Sequence, residues 1–183
     1  MSSRHLCPFW MIRSFDNPLR RFFQNPRTIL DGLVGEGATV IDIGCAIGYF
    51  SLAMARMVGD KGTVIAVDVN PKMLQVLKNR AAKEDMEERI KLHACTQNSL
   101  GVSAQVDFAL AFWMVHEVPD QAHLFQEIRS MLKPEAHLLM VEPKIHVSRA
   151  SFDSSVKLAE QNGLVIRSRP TIGWSRAVMF GRA

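Results

Sequence analysis

The 183-residue chain is long enough for one ordinary domain, able to bury roughly 70% of its unfolded-chain surface without disulfides or metals. Its 48% hydrophobic and 22% charged residues exclude the disordered and fibrous classes. A formal charge of +4, scattered apart from Arg20, Arg21 and Arg27, is too diffuse for a nucleic-acid partner. The cysteines Cys7, Cys45 and Cys95 are odd in number and lack CxxC spacing, so neither a disulfide framework nor a zinc ribbon is indicated and a cytoplasmic location is expected. No signal-type or 18-residue apolar run appears, so no membrane partner is expected.

Taken in order, residues 1–30 mix aromatic and apolar side chains with Asn17-Pro18 and Asn25-Pro26, which predicts a broken helical lead-in with a helix over 19–24. This segment either covers one edge of the core or forms a lid. After a polar turn with three glycines, a strand is predicted over 39–43, a glycine loop over 44–48 and a helix over 49–58. A second strand, 63–67, leads through Asp68 to a helix started by Asn70-Pro71. Two further strands follow, 90–94 and 106–112, the latter nearly continuous in apolar residues, as a strand covered on both faces should be. Then come a helix over 121–132, a strand over 137–141, a helix over 151–161, and a hairpin of 164–166 and 177–180. The pattern is α/β: a mostly parallel sheet with an antiparallel C-terminal hairpin and helices on both faces, in a single domain over 1–183.

Right-handed crossovers bring the ends of the parallel strands to one edge, where ligands bind in such sheets. Asp68 lies 24 residues past Gly44, close to the offset of about 20 at which these folds use a carboxylate to accept from ribose hydroxyls. Capping of the next helix falls instead to Asn70, so Asp68 is expected to hold a nucleoside.

The runs DIGCAIGYF, AVDVNPKML and VDFALAF, the last followed by VHEV and a helix ending in LKP, resemble the class I S-adenosylmethionine-dependent methyltransferases over residues 39–142. The resemblance implies a Rossmann-like sheet of seven strands, the seventh antiparallel between the fifth and sixth. It implies S-adenosylmethionine as cofactor, with Gly44, Cys45, Ala46 and Gly48 around its methionine part and Asp42 orienting the loop or accepting from the ammonium. Asp68 would hold the ribose and Val69 would pack on adenine. Thr96, Gln97 or a backbone carbonyl would meet the adenine edge. Ala111, Phe112 and Trp113 would lie beside the cofactor. The family loop usually reads DxGxGxG; Ala46 replaces its middle glycine and narrows the approach to the ligand.

Methyl transfer to a small-molecule acceptor needs chiefly positioning, with a base where the acceptor loses a proton. The candidates are His116 and Glu117 after the fourth strand and Glu142 and His146 after the fifth, joined by His5 and Cys7 if the N-terminal segment folds over the crevice. The alternative for His116 and Glu117 is packing and capping of their own turn. The spacing of these side chains matches no metal pattern, so no metal is expected. Two rivals stand beside a methyltransferase. A nicotinamide-dependent oxidoreductase shares the strand, loop and acid, although Ala46 and Tyr49 occupy two glycine positions of GxGxxG. A non-catalytic cofactor-binding subunit is the other, since little chain remains to recognise an acceptor unless a homodimer completes the site.

Overall fold

The computed structural model describes residues 24–183. The helix expected over 19–24, most of the lead-in, and the candidates His5 and Cys7 lie outside the described residues. The first described helix, α1 (Pro26–Leu30), starts where Asn25 accepts from the Arg27 N–H and Pro26 occupies a position that needs no donor.

The sheet has seven strands: β1 (Thr39–Ile43), β2 (Thr63–Asp68), β3 (Ile90–Ala94), β4 (Val106–Phe112), β5 (Leu132–Pro143), β6 (Leu164–Ser168) and β7 (Ser175–Arg182). Their order is β3-β2-β1-β4-β5-β7-β6, with β7 antiparallel to both β5 and β6 and every other pair parallel. The helices are α2 (Tyr49–Val58), α3 (Pro71–Ala82), α4 (Gln121–Met131) and α5 (Arg149–Gln161). Strand alternation assigns them to faces. Val40, Val64, Ala66, Phe108, Leu110, Leu139 and Val141 join the core under α1, α2 and α3. Their neighbours Ile41, Ile43, Ile65, Val67, Ala109, Leu138 and Met140 join the core under α4 and α5. Both faces of the central strands are therefore covered, which is why they read as unbroken apolar runs.

Several boundaries differ from the sequence reading. Helix α4 stops at Met131, because Leu132 already has extended geometry and pairs with Val106. Strand β5 accordingly starts at Leu132 rather than 137 and carries Pro134 near its beginning, where the proline disfavours helix in the residue before it. Helix α5 begins at Arg149, since Ser148 rather than a later serine accepts from the Ser151 N–H. The terminal hairpin is longer than expected at both strands because its ladder runs from Leu164–Arg182 pairing to Ser168–Met179.

Candidate functional site

Strand β1 lies between β2 and β4, so connections leave it in opposite directions and open a crevice at its C-terminal end. The loop there turns under tension from both sides. Gly44 and Cys45 each donate a backbone N–H to the Val67 carbonyl, at 2.8 and 3.0 Å. Gly44, Ala46 and Gly48 have φ of 73°, 47° and 84°. A Cβ at Gly44 would lie 2.8 Å from the Met114 Cβ, so only glycine fits there. Ala46 accepts the left-handed conformation at a cost of about 1 kcal/mol, and its N–H donates to Asp68 Oδ2 at 2.8 Å.

The other Asp68 oxygen accepts from the Asn70 N–H at 2.8 Å, while the Asn70 side chain accepts from the Lys72 N–H and caps α3. Capping is thus the work of Asn70, as the sequence suggested. Asp68 is buried, which pushes its carboxyl above its ordinary range, with the two N–H bonds opposing. Each oxygen takes one backbone donor and keeps acceptor capacity for another. A carboxylate so placed at the end of β2 fits paired hydroxyl donors such as those of a ribose.

Asp42 is buried and accepts from Ser51 Oγ at 2.5 Å, bracing the loop against the first turn of α2. The Cys45 thiol is pushed up chiefly by burial and further by Asp42 and Asp68, so it is a packing group rather than a nucleophile. Val69 is half-buried beside Asp68. Thr96 and Gln97 are exposed, and Thr96 Oγ1 is occupied by its own turn, accepting from the Asn98 and Ser99 N–H groups. Glu127 of α4 holds this loop, accepting from Ser99 Oγ at 2.6 Å and Leu100 N–H at 2.9 Å. Ala111 is fully buried under α4 and α5, which leaves its backbone, not its methyl group, to face the crevice. Phe112 packs between Phe50 and Trp113, with centroids at 4.4 and 5.6 Å. Trp113 has φ 61°, donates its N–H to the Val141 carbonyl and is fixed by Nε1 donating to Ser175 Oγ at 3.1 Å.

Beyond β4, residues Val115–Glu117 form a single tight turn over the end of β5. Glu142 is 1% exposed there, and its Oε1 accepts from the Val115 and His116 N–H groups at 2.9 and 3.3 Å. Its Oε2 meets His116 Nδ1 at 2.5 Å. That bond raises the His116 pKa above its ordinary value against the opposing effect of burial, and the Glu142 and Glu117 charges add to the rise. His116 Nε2 lies 4.0 Å from Glu117 Oε1. Partial burial pushes the Glu117 carboxyl up, with His116 opposing. A shallow depression, largely open to solvent, lies beside His116, bordered by Val118, Pro119, Gln121 and Leu158. His146 stands apart: it is exposed on the turn after β5, and its side chain makes no hydrogen bond or ion pair among the described residues.

The structure therefore brings His116, Glu117 and Glu142 together and leaves His146 out. Glu127, which holds the loop after β3, and Ser175, which fixes Trp113, were not legible in the sequence because their partners lie 27 to 62 residues away; Ser51, nine residues from Asp42, was also missed. No group of three or more potential metal ligands occurs among the described residues.

The glycine loop at the end of β1, the acid at the end of β2 and the antiparallel β7 between β5 and β6 define a Rossmann-like class I S-adenosylmethionine-dependent methyltransferase. The chain belongs to the methyltransferase domain family, whose model matches residues 35–168. The cofactor of this class is S-adenosylmethionine, and the Asp68 carboxylate and left-handed loop fit it. A demethylmenaquinone methyltransferase from Lactobacillus johnsonii is 27% identical over 129 residues, 68% of this chain and 53% of the relative. One from Bacillus cereus is 24% identical over 60% of this chain and 46% of its own length. The chain thus spans about half the length of the curated relatives it matches. A solved S-adenosylmethionine-dependent methyltransferase from Aquifex aeolicus shares the fold at a TM-score of 0.86, with 22% identity over 97% of this chain and 100% of its own. Aeropyrum pernix fibrillarin, solved with natively bound S-adenosylmethionine, superposes at 0.64 with 17% identity over 81% of this chain and 68% of its own.

Proposed function

We propose that the protein methylates a small aromatic acceptor bearing an ionisable hydroxyl, with His116 as the base and Glu142 as the residue that orients it. The observation that carries this reading is the 2.5 Å contact between His116 Nδ1 and the buried Glu142, next to the cofactor loop. Bound S-adenosylmethionine supplies an activated methyl group on a sulfonium leaving group. Gly44, Cys45, Ala46 and Gly48 hold its amino-acid end, Asp42 braces that loop through Ser51, and Asp68 accepts from the ribose. Val69 packs on adenine, the turn of Thr96 and Gln97 borders its edge, and the Ala111 backbone with Phe112 and Trp113 closes the side toward β4.

Glu142 accepts from His116 Nδ1–H, which leaves the Nε2 lone pair for the acceptor's proton. Loss of that proton would make the acceptor the nucleophile of an in-line displacement in which the sulfur–methyl bond breaks and the neutral thioether is the leaving group. An open depression lies beside His116, and the relatives' names specify demethylmenaquinone as their acceptor.

Calorimetry with S-adenosylmethionine and with NADH tests the cofactor, and methyl-labelled cofactor with 1,4-naphthoquinol tests transfer. Binding of NADH alone overturns the reading in favour of a nicotinamide enzyme. Tight S-adenosylmethionine binding without transfer to naphthoquinol or to any fraction of a cell extract makes the protein a cofactor-binding subunit. Size-exclusion chromatography with light scattering measures whether a homodimer completes the site.

A further inference from the structure

The described residues expose few large apolar side chains: Ile145 is 81%, Trp174 71% and Val165 39% exposed. The first two share one place. Ile145 follows β5, Trp174 precedes β7, and the two loops are joined by the Lys144 N–H donating to the Trp174 carbonyl at 3.0 Å. Because Pro143 pairs with Ser175, both loops stand at the C-terminal edge of the parallel strands, on the same edge as the cofactor loop. Trp174 holds φ 58°, an uncommon conformation for a bulky residue. Ser175, its neighbour, anchors Trp113 beside the crevice.

The surroundings are basic. Lys144, Arg149 and Arg169 are exposed in or beside the same two loops along the chain. Among the described residues of these loops and the beginning of α5, the acid is Asp153, 3.7 Å from Arg149; Glu117 and Asp120 stand at the same edge on the loop after β4. Two apolar side chains cannot form the centre of an interface of about 800 Å² per partner, the usual size for a stable protein complex. They do match a lipid surface, where an indole settles at headgroup depth and flanking Lys and Arg meet anionic headgroups.

We propose that Ile145 and Trp174, with Lys144, Arg149 and Arg169, form a peripheral docking site for an anionic lipid surface, which turns the crevice toward the bilayer. This is adsorption through loops and needs no spanning helix; none among the described residues is long and apolar enough to cross a membrane. It goes beyond the proposed methyl transfer and does not depend on it.

The test uses the full chain without cofactor, sedimented with large unilamellar vesicles of phosphatidylcholine alone or with 30% phosphatidylglycerol (about one anionic lipid in three). Binding is expected on the anionic vesicles, weakened by salt, with a blue shift of tryptophan emission. Lys144→Glu and Arg169→Glu should each lower the partition coefficient at least about five-fold. The double variant Ile145→Ser, Trp174→Ser should lower it about ten-fold, with unchanged circular dichroism and unchanged S-adenosylmethionine affinity showing an intact fold. No binding by the unmodified chain, equal binding to neutral vesicles, or variants that bind as well as the parent overturn the proposal. So does a vesicle-free dimer that the serine variants convert to monomer, since the patch then belongs to a second copy. Methyl transfer failing while vesicle binding persists leaves this site standing and removes only the proposed reaction.

Discussion

Replacing Glu142 by glutamine keeps the shape of the side chain and changes what His116 faces. The Oε1 position must still accept from the Val115 and His116 N–H groups, so the amide oxygen is held there. The amide nitrogen then occupies the Oε2 position against His116 Nδ1. An NH₂ group donates, so Nδ1 must accept and the ring proton moves to Nε2, the atom that has to receive the acceptor's proton. General-base catalysis contributes about 10²–10⁴-fold, and kcat of Glu142→Gln should fall within that range while S-adenosylmethionine affinity is unchanged. Stability falls too. A charge-assisted bond becomes a neutral one, a loss of about 1 kcal/mol, trimmed by solvent screening because the His116 side chain is 29% exposed. The folded pKa of His116 is raised above its ordinary 6.5. The pair's contribution is therefore complete below the unfolded value and lost as pH rises through the folded one. Urea melts from pH 5.5 to 9 should show the two proteins differing most at the acid end and converging at the basic end. The parent's rate should rise with pH through the raised His116 pKa. A parental rate and pH profile in Glu142→Gln, or a stability difference independent of pH, refutes the pairing as the source of the base.

Asp68→Ala should weaken S-adenosylmethionine binding by more than about ten-fold in calorimetry, since it removes the proposed acceptor for ribose hydroxyls together with the anchor of the Ala46 N–H. In the parent, affinity should fall on acidification through a pH above the ordinary 3.8, because the raised Asp68 carboxyl becomes protonated there and no longer accepts as a carboxylate. Ala46→Gly should raise stability by up to about 1 kcal/mol in thermal melts, relieving the left-handed alanine. Gly44→Ala should instead abolish cofactor binding, as its Cβ meets that of Met114. Glu127→Ala should speed hydrogen exchange in the loop of residues 96–104, which loses its anchor to α4, without changing exchange in β1 and β4.

The layered fold was legible because each central strand carries apolar residues on both faces and because some helix starts are marked, as at Asn70-Pro71. The start of β5 was not. Leu132 to Pro134 read as a helix end, and only the facing Val106 shows that the chain is already paired there. In the site, Asp42, the glycines and Asp68 follow from local spacing, since strand, loop and acid lie within one βαβ unit. The His116–Glu142 contact could be reduced only to two strand ends at one edge. Which His met which Glu depended on the register of β4 against β5, with Phe112 opposite Val141. That register turns Glu142 under the loop and leaves His146 in solvent.

Ala46 shows most plainly where local pattern runs out. As a departure from DxGxGxG it reads as an obstruction, and Asp68 reads as a separate ligand for ribose. In the structure they are one device. The left-handed turn at Ala46 directs its N–H at Asp68 Oδ2, while Asn70 N–H fills Oδ1. The carboxylate is thereby oriented before any ligand arrives, and the loop is held in the conformation a glycine would otherwise allow but not enforce. Asp68 thus shapes the loop as well as serving as the proposed acceptor for the ribose. The methyl group of Ala46 trades about 1 kcal/mol of backbone strain for a narrower set of loop conformations.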